Sequence, residues 1–423
     1  MATDYRRILD FLRDTFTAPG SLSPARLHPR SGDTPPRVPG GSSLTEEAIA
    51  ERWELPGLPA GAREVVADAW ALDHRDAYGR SIENFIGTAK LPIGLAGPLR
   101  VNGVSAHGDF YVPLATTEAA LVASYSRGSL IVTESGGCSA VVLNESVSRS
   151  PGFAFATLAD AGAFAAWAAA SMDSFKAVAG ETTRHGRLVD MQLTVEGNHV
   201  YLCLEFTTGD ASGQNMVTIA TDAICQYIEA ATPVPPRHWF VEANMSGDKK
   251  ATTHSFMSVR GKKVSAEVTV PAETIRRRLH TTADRMLDYW RMSALGGVMT
   301  GSIGVHGHYA NGIAALFIAC GQDAACVAEA SVGVTRFEPR ADGALYASVT
   351  LPNMIVGTVG GGTGLPSQRA CLDILGLGGP GKARAFAEMA AGLALAGELS
   401  ITGALAAGHF TRAHRRLARG SAE

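Results

Sequence analysis

The chain has 423 residues, of which 46% are hydrophobic and 18% charged, enough to bury cores over roughly two to three domains and to exclude global disorder. Its 37 Lys and Arg nearly cancel 40 Asp and Glu, leaving a formal charge of −3. No basic excess drives phosphate-backbone binding, so nucleic acid is not an expected partner. Six scattered cysteines without a C-x-x-C pair point to a reducing cytoplasm rather than a disulfide framework.

Residues 1–44 read as a flexible arm: an amphipathic stretch, Tyr5–Phe16, then a Pro/Gly/Ser-rich run that supports no packed element. Ser43, followed by Thr45, Glu46 and Glu47, opens a helical pattern through Trp53 that looks like a capped helix start, and 62–78 is a second helical run. FIGTAKLPIGLAGPL (85–99) mixes apolar residues with Gly and Pro, the pattern of short strands and tight turns at an interface. Helical spacing covers 118–131. Between 148 and 240 come a helix over 158–175, strands over 187–195 and 199–206, and a helix over 215–231, a small α+β unit inserted into a larger body and closed by TPVPPRH. A strand at 263–270, a long helix at 272–292, a Gly-rich segment continuing into 310–319, the strand-like ALYASVTLP, the loop GTVGGGTGLP and two helices follow. The run 389–408 is apolar but holds Glu398, Ser400 and Thr402, so it is expected to pack inside protein rather than span a membrane. The basic end, GHFTRAHRRLARGSAE, is expected to be mobile.

Glu118, in ATTEAALVAS, is either a buried acid with a raised pKa or a helix-capping residue. The Gly247-Asp248-Lys249-Lys250 loop, taken alone, reads as a solvated turn. Asp323 ends an apolar run, where an unpaired charge is expensive, and therefore needs a cationic partner or a hydrogen-bond cage. A Glu, a Lys and an Asp brought together would form a proton-transfer network around a charged lysine able to polarise a carbonyl. Asp210, Ala211, Ser212, Gly213, Gln214, Asn215 and Met216 join a strand to a helix, whose N-terminus could receive a phosphate. Arg184 and Arg187 could supply bidentate contacts to it, and Gly360–Gly362 is a second possible anion nest. No G-x-G-x-x-G supports an ordinary dinucleotide-binding fold. His306 and His308 are spaced to share a strand face. His409 and His414, if helical, point ~140° apart. No spacing suits a metal.

In order, the strings ENFIGTAKLPIGLAGPL, PLATTEAALVASYSRG, GDASGQNM, GDKKA, GQDAA, GTVGGGTGLPSQRACLDILG and AAGHFTRAH resemble the 3-hydroxy-3-methylglutaryl-CoA (HMG-CoA) reductase family, in its first class but without a membrane anchor. The resemblance implies an α+β chain: a large mixed α/β acyl-CoA-binding domain with an inserted small ferredoxin-like NADPH-binding domain and a helical N-terminal region. The divisions are 45–82 for the helical region, 83–147 with 241–400 for the large domain, 148–240 for the small domain and 401–423 for a C-terminal catalytic flap. It also implies a homodimer or homotetramer with shared sites, NADPH as reductant, CoA as part of substrate and product, and no metal.

Carried over by resemblance, Lys249 stabilises the thioester oxygen, Glu118 supplies protons, Asp323 sets their protonation states and His414 protonates the departing thiolate. Arg184 meets the 2′-phosphate, and Asp210, Gly213, Asn215 and Met216 belong to the dinucleotide loop. Asn244, Asp248, Lys250 and Arg291 grip the acyl group, with Arg291 in place of a lysine, while Arg127, His308 and Asn311 surround CoA and the centre. Glu242 stands where the family has a serine, Val141 where it has an arginine, and Ala413 where a serine adjoins the flap histidine. The alternatives are the same chemistry on another 3-hydroxyacyl-CoA, motivated by Glu242 and Val141, and a noncatalytic acyl-CoA or NADPH-binding homologue. Against the second stands the joint presence of Glu118, Lys249, Asp323 and His414, since a pure binder needs no proton relay.

Overall fold

The computed structural model of the chain describes residues 5–17, 32 and 34–408. Two compact units are distinguished: Met1–Asp73 with Ile82–Thr88, and His74–Ser81 with Ala89–Glu423.

In the first unit the helix starts two residues later than Ser43: Thr45 accepts the Ala48 N–H and caps the helix Glu46–Trp53, with Glu46 and Glu47 in its first turn. Arg52 on that helix is fully buried, and its guanidinium donates to the carbonyls of Pro39 (2.9 Å), Gly41 (3.3 Å), Ser43 (2.7 Å) and Phe85 (2.8 Å). A buried cation is tolerated there because the carbonyl oxygens surround it. Trp53 donates to the Ile86 carbonyl at 3.0 Å, so Phe85 and Ile86 of the ENFIG string are tied to the capped helix. The expected single helix over 62–78 is instead Ala60–Val66, Ala69–Asp73 and a 3₁₀ turn at Arg75–Tyr78.

The second unit is built on a ten-stranded sheet. β1 (Ile93–Gly103) and β2 (His107–Ala115) pair antiparallel, and β1 runs parallel to the start of β3 (Cys138–Arg149). β8 (Gly261–Val270), β10 (Leu345–Met354) and β9 (Val334–Pro339) continue the sheet beside β3. The last residues of β3, Val147 to Arg149, pair with β6 (His199–Thr207), which also carries β5 (Arg187–Glu196) and β4 (Gly152–Ala154), and β4 pairs with β7 (His238–Phe240). β3 thus carries the chain from the large sheet into the 148–240 segment. There Phe153, Phe155, Phe164, Trp167, Phe175 and Tyr227 form a chain of ring contacts 4.8–6.1 Å apart, each such pair adding to simple area burial.

Two expected long helices are broken. The 158–175 run becomes Leu158–Ala170, opened by a Thr157/Asp160 capping box, and Met172–Thr182, with Ser171 between them. The 272–292 run splits into Ala272–Leu279 and Ala283–Thr300: His280 takes a left-handed conformation and Thr282 caps a new start through the Arg285 N–H. Among the described residues, Ala383–Ala406 is long and apolar enough to cross a membrane, yet it is almost wholly buried in the protein. It packs on the helix Leu121–Glu134. The approach is so close that a Cβ on Gly128 would lie 1.9 Å from the Ala396 carbonyl oxygen, which leaves room for glycine alone.

Candidate active site

Lys249 and Asp323 meet: Nζ lies 3.0 Å from Oδ2. The loop holding Lys249 is no solvated turn. Gly247 takes a positive φ, Lys249 itself sits at φ 55, and the carboxylate between them, Asp248, accepts from Arg149 at 3.0 Å and from Arg260. Arg260, buried at the start of β8, also donates to Ser148 O (2.7 Å) and to Glu329 (2.5 Å), whose other oxygen accepts the Lys249 N–H at 3.4 Å. Two buried guanidiniums and three carboxylates (Glu242, Asp248, Glu329) therefore fix the loop, with Arg149 Nε the one guanidinium nitrogen of the pair that is buried without a partner among the described residues. Burial pushes Glu329 up from its ordinary value, while Arg260 opposes the rise. The hydrogen bond and charge of Asp323 raise Lys249, keeping it an ammonium. Burial pushes Asp323 up, but Lys249 and the Ala325 N–H outweigh it and hold the carboxyl low.

Glu242 turns back into the same network. It accepts from Arg149 (3.3 Å), Ser150 N (3.3 Å), Asn244 N (2.7 Å) and Ser246 Oγ (2.9 Å), so it is engaged by the end of β3 and by its own loop. Asn244 and Lys250 are exposed, and Lys250 Nζ donates to the Asp248 carbonyl at 3.0 Å. Arg291 lies exposed on the helix Ala283–Thr300, paired with Asp288 at 3.5 Å; among the described residues no hydrogen bond or ion pair links it to the Lys249 loop.

Three glycine-rich strings converge beside this pair. Gln322 exchanges two hydrogen bonds of 2.9 Å with the Gly357 backbone, and Thr358 N donates to Asp210 O at 2.8 Å. Gln214 donates to Cys326 Sγ at 2.9 Å, three residues beyond Asp323. A Cβ on Gly357 would lie 2.6 Å from Ser212 N, so the loops touch backbone to backbone. The Asp210 carboxylate accepts the N–H groups of Gly381 (2.7 Å) and Ala383 (3.1 Å) at the start of the long buried helix. Gly213, at φ 78, precedes the helix Gln214–Ala231, and no side chain caps its first turn. Its first N–H groups suit an anion such as a dinucleotide pyrophosphate. Ala211 and Ser212 are half-buried and Asn215 exposed, while Met216 Sδ accepts from Thr183 at 2.9 Å. Arg184 and Arg187 are exposed at the entry to β5.

Glu118 is neither buried nor a cap. It lies exposed in a turn before the helix Leu121–Glu134, whose N-cap position is Ala120 at φ 71, and its N–H donates to Thr116 Oγ1 at 3.0 Å. Its carboxylate accepts from Asn311 at 3.4 Å. Both line a cavity of about 400 Å³ with Tyr125, Arg127 and His308, and a second, apolar groove of about 390 Å³ runs from Glu118 and Asn311 to Val327. Arg127 spends its guanidinium on the Ser400 hydroxyl (2.8 Å) and carbonyl (3.1 Å). His306 and His308 share no strand face: Val305 makes an isolated bridge, His308 is the N-cap residue of the helix Tyr309–Ala319, and each ring stacks on a different tyrosine. His409, Ala413 and His414 lie outside the described residues. No group of three His, Cys, Asp or Glu suited to a metal occurs among the described residues.

Sequence reasoning missed Arg149, Arg260, Glu329 and Gln322. The signals were present but thin: an Arg-Gly-Lys-Lys run opening a strand, and a glutamine inside the GQD string itself.

The lysine–aspartate pair is set against a glycine-rich strand-to-helix loop within a mixed α/β body, and a family model for an oxidoreductase, described as hydroxymethylglutaryl-coenzyme A reductase, matches residues 49–419. The chain belongs to the hydroxymethylglutaryl-CoA reductase family. It is 43% identical over 409 residues to the 3-hydroxy-3-methylglutaryl-coenzyme A reductase of Aeropyrum pernix, covering 95% of this chain and 94% of that one. With the enzyme of the same description from Methanothermobacter thermautotrophicus it shares 42% identity, covering 89% and 94%. In fold it is similar to the class II 3-hydroxy-3-methylglutaryl-CoA reductase of Streptococcus pneumoniae bound to NADPH, with TM-score 0.64 and 20% identity over 82% of this chain and 95% of that one.

Proposed function

We propose that the chain reduces HMG-CoA to mevalonate and free CoA with two NADPH and two protons, supplying isoprenoid precursors. The observation that carries this is the Lys249–Asp323 pair at 3.0 Å, beside loops joined by Gln214–Cys326 and Gln322–Gly357. NADPH, when bound, supplies one hydride in each of two successive steps. The ammonium of Lys249 takes the charge that develops on the thioester oxygen, and later on the aldehyde oxygen, and is the largest electrostatic contribution. Glu118 delivers a proton to the oxygen as each hydride arrives and takes the first one back when the hemithioacetal collapses to mevaldehyde, Asp323 keeps Lys249 charged, and His414 protonates the departing thiolate, so that two protons are consumed in all. Arg184 meets the 2′-phosphate, and the uncapped turn at Gly213 to Met216 takes the pyrophosphate. Asn244, Asp248, Lys250 and Arg291 hold the acyl group, and Arg127, His308 and Asn311 flank CoA.

Because the Glu242 charge is absorbed by Arg149 and three other donors, it does not oppose an acyl carboxylate, which favours HMG-CoA over another 3-hydroxyacyl-CoA. The working unit in this reading is a cytoplasmic homodimer or homotetramer, with 148–240 as the NADPH domain, 83–147 with 241–400 as the acyl-CoA domain and 401–423 as a flap.

The test follows NADPH absorbance with HMG-CoA, with NADH, and with a panel of other 3-hydroxyacyl-CoA thioesters. Mevalonate at about two NADPH per thioester is expected. Reduction of a different thioester alone would move the substrate assignment, and no turnover with any would favour a binding protein.

A further inference from the structure

One charged group in the molecule is buried where the proposed reaction has no use for it. Glu398 sits within the apolar helix Ala383–Ala406, its side chain 2% exposed. Four donors converge on it. Oε2 accepts the Gly307 N–H at 2.7 Å and the Thr335 hydroxyl at 2.8 Å; Oε1 accepts the His308 N–H at 3.0 Å and lies 3.3 Å from His308 Nδ1. The Thr335 hydroxyl also lies 2.7 Å from the Tyr309 hydroxyl. Burial alone would push the Glu398 carboxyl up, but the His308 ring and the two backbone N–H groups outweigh it and hold the group below its ordinary value.

An ionised carboxylate only accepts hydrogen bonds. The hydrogen in the Glu398–His308 contact therefore belongs to Nδ1, and a neutral His308 keeps its lone pair on Nε2. The ring is held by its stack on Tyr125, with centroids 5.7 Å apart and planes at 14°. It lines the cavity that also holds Glu118, Arg127 and Asn311, and among the described residues Nε2 takes part in no hydrogen bond. The other titratable groups around the ring do not compete for Nδ1. His306 stacks on Tyr309 and is pushed toward neutrality by burial; Tyr125 and Tyr309 are kept protonated by burial; Arg127 is turned to Ser400; and Glu118 is engaged by Asn311.

We propose that Glu398 is a positioning residue that locks His308 in the Nδ1–H tautomer, so that the cavity beside Glu118 presents a hydrogen-bond acceptor at Nε2 to a ligand hydroxyl or thiol. With the opposite tautomer the same ring would offer an N–H, and a hydroxyl could no longer donate to it. The arrangement resembles other sites in which a buried carboxylate orients an imidazole that faces a ligand, where removing the carboxylate costs roughly tenfold to a hundredfold.

The proposal rests on the reductase reading for its kinetic consequence only, so the test has two arms. In protein labelled with nitrogen-15 histidine, the His308 signals are those that disappear in His308→Gln. At neutral pH they are expected to show Nδ1 protonated and Nε2 bare in the unaltered chain, and a mixed or inverted pattern in Glu398→Gln. An Nε2–H pattern in the unaltered chain overturns the proposal, whether or not the variant folds and whatever the substrate is. In the kinetic arm, Glu398→Gln and His308→Gln each lower kcat at least about tenfold, and the double variant is no worse than the weaker single one. Additive losses overturn the proposal, because Glu398 would then act on the fold and not through His308. If HMG-CoA is not turned over at all, the function reading fails while the tautomer measurement still decides this one.

Discussion

Replacing Lys249 with methionine keeps the length of the side chain and removes the ammonium, which separates catalysis from folding. Lys249 and Asp323 are 42% and 38% exposed, so water screens the pair and its contribution to stability is at most about 1 kcal/mol. The Asp248–Arg149–Arg260–Glu329 clamp that shapes the loop is untouched by the change. The denaturation midpoint in urea should therefore barely move. A positioned donor facing a developing oxyanion, by contrast, is worth roughly 2.7–4 kcal/mol, so kcat for NADPH oxidation with HMG-CoA should fall about 10²–10³-fold. Asp323→Asn keeps the acceptor for the Ala325 N–H at 3.0 Å and removes only the charge. The sign of the pH dependence follows from the directions. Lys249 is raised above 10.5, so its share of the pairing is complete below that pH and lost as pH rises through the folded value. Asp323 is lowered below 3.8, so its share is complete above that pH and lost as pH falls through the folded value. Between 3.8 and 10.5 the pair stays charged, and it should introduce no break in the rate profile of the unaltered chain; the alkaline limb of Asp323→Asn should move to lower pH. If Lys249→Met keeps kcat within about threefold, or loses its fold, the reasoning is refuted.

Glu329→Gln removes the charge opposite Arg260 and leaves a single amide oxygen where two carboxylate oxygens now accept separately from Arg260 Nε and the Lys249 N–H, a loss of about 1–3 kcal/mol that a urea titration will register; an unchanged midpoint would mean the network does not hold the loop. Gly128→Ala drives a Cβ to 1.9 Å from Ala396 O and should cost about 3 kcal/mol or more through forced separation of two core helices, so a variant with the original midpoint would contradict the packing. Arg184→Gln should raise KM for NADPH about tenfold and leave NADH unaffected; equal effects on both cofactors would remove Arg184 from the 2′-phosphate. Burial pushes the Cys138 thiol up to about 12 and raises the other five cysteines as well. At pH 8 a thiolate-selective reagent should thus label almost none of the native protein's six cysteines and all six in denaturant, whereas rapid native labelling would show that the core opens.

How much was legible beforehand depended on range. The capping residues around Thr45, the alternating strands β5 and β6, the burial of the apolar run around Glu398 and the requirement that Asp323 find a cation all follow from residues a few positions apart, where periodicity and local charge cost speak directly. The ordered strings carried the family. Where reading failed, a distant group had intervened. The run 272–292 keeps its helical period through His280 and Thr282, and only the packed fold turns it there. Glu118 sits in an apolar sequence but faces a cavity, because Ala120 swings the chain at positive φ before the helix begins. Asp248 looks like part of a solvated turn until Arg149, 99 positions away, and Arg260 are brought beneath it. Local order is written in neighbouring side chains, while the pairing of buried charges depends on which strands lie side by side. The sequence alone therefore determined the chemistry available to this protein, and the tertiary structure decided which charges remain for a ligand and which are consumed in holding the site together.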